Sequence, residues 1–166
     1  MYIRLIRNQP KGIAITGRLV IDGRWFCDTL ERVGYQIPAL CYPVRVTQSP
    51  KFRRLLPLIT GVPRSIVQNG VEVVQNGVEL SPAEKTTLNH STPSGMRTGI
   101  RFHVGTKPEH STGCILVPNR AIEKELTDLI LKAQNEHEEI ILEVTDFRAG
   151  TEYGYNTPCE PELQMP

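Results

Sequence analysis

The chain has 166 residues, 39% hydrophobic and 22% charged, with a net charge of +1. That is one ordinary domain with enough apolar side chains for a core, and it excludes wholesale disorder. The charge is polarised, with ten Lys/Arg against three Asp/Glu in residues 1–55, six against four in 56–120, and three against eleven in 121–166; so acidic a final third opposes a polyanion, and no nucleic acid is expected as a partner.

Residues 2–7 alternate polar and apolar side chains, which predicts a strand, and Asn8 to Gly12 turns the chain. Thr16–Ile21 and Arg24–Leu30 flank Asp22-Gly23, the signature of a type I′ hairpin whose central residues both need positive φ. Tyr42–Thr47 predicts a further strand, with Pro43 at its beginning or on an edge. The basic cluster Lys51, Arg53 and Arg54 reads as a solvated face in preference to an anion site. Residues 67–72 and 74–79 repeat Val-Gln-Asn-Gly-Val-Glu, which fits a pair of hairpin turns or an exposed loop with no chemistry of its own.

After Asn119, a good N-cap, Ile122, Leu126, Leu129, Ile130 and Ala133 share one helical face. Glu123 falls where the helix dipole favours an anion, and Glu139–Thr145 predicts a final strand. The expected class is a β-rich α+β fold with one main helix, a single domain over 1–147 and a loosely ordered tail over 148–166. No stretch approaches the roughly 18 apolar residues of a membrane span, and none resembles a signal peptide. Synthesis in the cytoplasm is expected, with delivery to the periplasm by a phage or a specialised secretion system.

The chemistry is concentrated in residues 100–119. A strand-like run delivers His103, a loop follows, and Ser111-Thr112-Gly113 leads into Cys114. Imidazole and thiol in contact make a nucleophile near neutral pH, and the Gly113 and Cys114 amides are candidate oxyanion donors. The competing readings are a buried structural thiol at Cys114, a packed strand histidine at His103, and a zinc site from His90, His103, His110 and Cys114. The zinc set has no recognised spacing and His110 reads as a solvated loop residue, so no metal or cofactor is expected. Four cysteines without a CxxC pair make no disulfide scaffold, and Cys27 and Cys41 read as core thiols.

Phe102-His103-Val104-Gly105 and Ser111–Asn119 resemble the two catalytic segments of L,D-transpeptidases, and Ile37–Val44 is similar to a proline-containing segment upstream in the same proteins. Gly17–Gly23, Cys27–Glu31, Ile37–Val44, Gly99–His103 and Gly113–Val117 also resemble, in order, a domain-of-unknown-function family of phage and bacterial proteins, over residues 16–118. The transpeptidase resemblance implies a β-sandwich or barrel and a cysteine-nucleophile acyl transferase or peptidase acting on peptidoglycan stem peptides through a Cys114 thioester. It implies His103 as base, Gly113 and Cys114 amides on the oxyanion, and Ser111 and Thr112 along the substrate. Leu116 stands where that family has an arginine, so Arg97 or Arg101 would take the substrate carboxylate. Thr112 stands where it has a histidine, and Leu40 where it has a glycine. The alternative is a non-catalytic module that binds the cell wall or a phage or secretion-system protein.

Overall fold

The computed structural model describes residues 1–68, 70–75, 77–79 and 96–147. Strands β1 (Tyr2–Arg7), β2 (Ala14–Ile21) and β3 (Arg24–Arg32) form an antiparallel meander. Asp22 and Gly23 have φ of 47° and 83°, the two positive values a type I′ turn requires. Strands β4 (Cys41–Ser49) and β5 (Arg54–Ile59) make a second hairpin, and β6 (Ser65–Gln68) and β7 (Val71–Val74) a small separate one. The short β8 (Phe102–Val104) and β9 (Ile115–Val117) run parallel, followed by helix α1 (Arg120–Asn135) and β10 (Ile141–Thr145).

Eight strands join in the order β5-β4-β10-β1-β2-β3-β9-β8. A Leu58–Arg101 bridge and an Ile59 N–H to Ile100 O hydrogen bond of 2.8 Å bring β8 back to β5, so the sheet nearly closes. The expectation of a β-rich fold with a helix after the cysteine holds at that level. Predicted strand ends move by at most two residues. β5, interrupted by Pro57 and preceded by Lys51–Arg54, has no strand signature in the sequence. The 148–166 segment lies outside the described residues. Among the described residues no helix is long and apolar enough to cross a membrane.

The nearly closed sheet encloses Ile3, Leu5, Leu19, Val44, Phe102, Ile115, Val117 and Leu142 among others. Alternation on β8 and β9 sends Phe102, Ile115 and Val117 into this cluster, leaving His103, Cys114 and Leu116 outside it. The Asn119 carboxamide caps α1 by accepting from Ile122 N–H at 2.9 Å. The helix buries Leu126, Ile130 and Ala133, each large aliphatic contributing roughly 1.5–3 kcal/mol relative to exposure. Leu129 is more than a third exposed, and Glu123 and Thr127 complete the buried stripe instead. Glu123 is tolerated there because Arg54 neutralises it.

Candidate active site

β8 and β9 place His103 and Cys114 on the same side of a parallel pair. The register Phe102↔Ile115 sets Cys114 beside Arg101, and Arg101 N–H donates to Cys114 Sγ at 3.4 Å. Two residues, about 6.6 Å of strand, separate His103 from that amide. The thiol donates to Gly99 O at 3.6 Å and is 1% exposed. Burial pushes Cys114 up to about 11, and the charge of Glu79 adds to this. The Arg101 amide and the charges of Lys51 and Arg97 pull the other way without cancelling it, so the resting sulfur is a protonated thiol.

His103 is 5% exposed, and its Nδ1–H donates to Val104 O at 2.9 Å. Because a carbonyl only accepts, this bond fixes the proton on Nδ1 and makes Nε2 an acceptor, with no hydrogen-bond partner among the described residues. Burial pushes the imidazole pKa down, as do the charges of Lys51 and Arg54, against the Val104 bond and the Glu123 charge. A neutral ring with a free Nε2 is the form a base requires. Thiol and imidazole share no hydrogen bond in this resting arrangement: the sulfur is held by the Arg101 amide and the Gly99 carbonyl.

The turn before Cys114 is shaped by a compact set of bonds. Ser111 Oγ accepts from Gly113 N–H at 3.1 Å and donates to Cys114 O at 2.6 Å, so one of the two expected oxyanion amides is engaged within the loop. Gly113 has φ of +135°, and a Cβ there would lie 2.3 Å from Arg97 Nη2. Arg97 donates to Thr112 O at 2.7 Å and Tyr35 O at 3.0 Å, tying the loop to the turn after β3. Thr112 itself is exposed, along a cleft of about 550 Å³ lined by Gly34, Tyr35, Val74, Gln75, Gly77 and Thr112. Arg101 is 2% exposed and donates to Thr47 O, Gln48 O, Leu56 O and the Glu79 carboxylate. Both arginines expected on a substrate carboxylate thus have their guanidinium donors on protein groups.

No family model, curated protein or solved structure matches this chain. The site stands on its own geometry. Phe52, Lys51, Arg54 and Glu123 lie beside it, a place the sequence did not assign to them. Phe52, on the β4–β5 turn, packs its ring 4.4 Å from the His103 ring. Lys51 and Arg54 lie over the same phenyl ring at 5.3 and 5.4 Å. Glu123 accepts from Arg54 at 2.6 and 2.9 Å and from Val104 N–H at 2.7 Å. Burial raises its pKa, but these bonds and the charges of Arg54 and Arg120 outweigh that and hold the carboxyl below its ordinary value. Glu79 belongs to the second hexapeptide copy and bonds Arg101 and the Ser49 hydroxyl. That copy was expected to have no chemistry of its own; its Glu79 has a structural part, holding Arg101 next to β8.

The cysteines divide differently from expectation. Cys27 is a free core thiol pushed up to about 12 by burial and then by Asp28. Cys41 is disulfide-bonded rather than a core thiol, with a partner outside the described residues. His110 is exposed, its Nδ1 accepting from Thr106 N–H and Lys107 N–H at 3.2 and 3.4 Å. Among the described residues no group of three or more His, Cys, Asp or Glu side chains is arranged to hold a metal ion, and His90 lies outside them.

Proposed function

We propose that this chain is a cysteine-nucleophile acyl transferase or peptidase of the L,D-transpeptidase type, acting on peptidoglycan stem peptides through a thioester on Cys114. The observation that carries the reading is the β8–β9 register, which sets a thiol and a neutral imidazole on the same side of the strand pair, two residues apart along it. His103 Nε2 takes the thiol proton as Cys114 Sγ attacks the peptide carbonyl, and the imidazolium returns it to the departing amine. Cys114 N–H, joined by Gly113 N–H once it leaves Ser111, supports the oxyanion. An acceptor amine then completes transpeptidation, and water gives a carboxypeptidase. Arg97 holds the Ser111–Cys114 turn and Arg101 holds β8, while Thr112 borders the cleft that receives the peptide. The nearly closed sheet followed by α1 and β10 is compatible with a transpeptidase-like barrel or sandwich.

A thiol-reactive carbapenem tests the reading. A covalent adduct on Cys114, absent from Cys114→Ser, supports it. No adduct and no turnover of tetrapeptide stems would refute it and favour a second reading, a non-catalytic cell-wall or phage-structural module. The 1% exposure of Cys114 is the observation on that side. The Cys41 disulfide suits an oxidising compartment such as the periplasm, reached by phage or specialised secretion. A free Cys41 thiol in the native protein would count against that location.

A further inference from the structure

In a sheet whose inner face holds the core, outward side chains should be exposed, as Thr16, Arg18, Pro43 and Arg45 are. One strip departs from this. Ile3 and Leu5 of β1 and Leu142 and Val144 of β10 belong to the core cluster, so alternation turns Ile6, Glu143 and Thr145 outward. Yet Glu143 and Thr145 are 0% exposed and Ile6 is 7% exposed. Helix α1 does not account for this, because it joins the inner cluster through Leu126, Ile130 and Ala133 and packs on β4, β5 and β8.

The cysteines indicate what covers the strip. Tyr42 and Val44 of β4 point into the core, so Cys41 faces outward, and the register sets it beside Glu143. The chain has four cysteines; Cys27 and Cys114 are free thiols and Cys41 is disulfide-bonded, which leaves Cys159. The chain leaves the sheet at Thr145, one end of the strip. The Cys41–Glu143 row lies two residues back, about 6.6 Å of strand, and the stretch from Phe147 to Cys159 spans that several times over. The composition agrees. Segment 148–166 carries Tyr153, Tyr155, Leu163 and Met165 to cover Ile6. Its three Glu and one Arg complement Arg4, opposite Glu143, and Arg18, opposite Ile6.

We propose that segment 148–166 docks as a strap across the outer face of β1, β10 and β4 and is locked there by a Cys41–Cys159 disulfide, so that the strip is covered in the oxidised chain and opens on reduction. Locking joins the two sulfurs; their two protons and two electrons pass to a disulfide oxidant, which leaves as two thiols. A dithiol reductant reverses the step. Neither Cys114 nor His103 takes part, so the strap is independent of the reaction proposed for them.

The test uses the full-length chain, oxidised with glutathione disulfide or reduced with dithiothreitol, beside Cys159→Ser. Tryptic mapping without reductant should find the peptide holding Cys41 joined to the one holding Cys159, in the oxidised wild type alone. Carboxyl labelling with a water-soluble carbodiimide and an amine, read by mass spectrometry, reports the cover over Glu143. Its labelling should rise about fivefold or more on reduction and to a similar extent in Cys159→Ser, while Glu123, 3% exposed beside Arg54, stays protected. Cys41 found free, or joined to Cys27 or Cys114, in the oxidised chain overturns the lock. Glu143 labelled to the same extent in all three samples overturns the docking. Labelling of Glu123 that rises in step with Glu143 shows that reduction unfolds the whole sheet, and overturns the strap as a separable element.

Discussion

Glu123→Ala should cost the fold about 3 kcal/mol. The carboxylate accepts two hydrogen bonds from Arg54 on β5 and one from Val104 N–H on β8, all between 2.6 and 2.9 Å. A hydrogen bond to a charged group contributes about 1.5–3 kcal/mol, which sets the Val104 part near 1.5. The Arg54 side chain is 25% exposed, so its share is discounted for solvent to about 1.5 as well. Glu123→Gln keeps an acceptor for Val104 and loses about half as much. A double-mutant cycle with Arg54→Ala isolates roughly 1 kcal/mol of coupling. Equilibrium urea unfolding reads all three values.

The pH dependence is fixed by the direction of the shift. The folded pKa of Glu123 is depressed, so its contribution is fully present above the unfolded value near 4.5 and is lost as pH falls through the folded value. The stability gap between wild type and Glu123→Gln therefore narrows below about pH 4.5. A loss under 1 kcal/mol for Glu123→Ala, or a gap that stays constant down to pH 3, would refute the reasoning.

Because burial holds the Cys114 thiol near 11, its iodoacetamide alkylation should keep accelerating, about tenfold per pH unit, from pH 7 to pH 10; a plateau below pH 8 would show a preformed thiolate. Gly113→Ala forces a side chain against Arg97 Nη2 at positive φ and should cost at least about 2 kcal/mol in thermal or urea unfolding, whereas wild-type stability would show that the loop relaxes freely. Phe52→Ala removes the ring under His103 and Lys51 and should lower kcat more than it lowers stability, measured as tetrapeptide turnover beside urea unfolding; unchanged turnover would detach the turn from the site.

What the sequence made legible was local. Asp22-Gly23 and the Asn119 cap are read from residues whose own conformations decide the turn and the helix start. The 3.6-residue period found α1 and most of its buried face. It put Leu129 inside and Glu123 outside because it assigns burial by polarity alone, whereas Glu123 is buried by a partner 69 residues away. The same non-locality hid β5 and the contact of Glu79 with Arg101, which depend on β5 returning to β8. Cys41 is disulfide-bonded although no CxxC spacing announces it. His103 and Cys114 were found because twelve residues of one segment carry both. Their tautomer and protonation follow only from Val104 O, Arg101 N–H and burial.

The central claim is acyl transfer through Cys114 with His103 as base. Intact-protein mass spectrometry during incubation with a tetrapeptide stem tests it most directly. The account predicts an acyl adduct on Cys114 in wild type, none in Cys114→Ser, and strongly slowed formation in His103→Ala. A folded wild-type protein that neither gains the adduct nor consumes the peptide would contradict it.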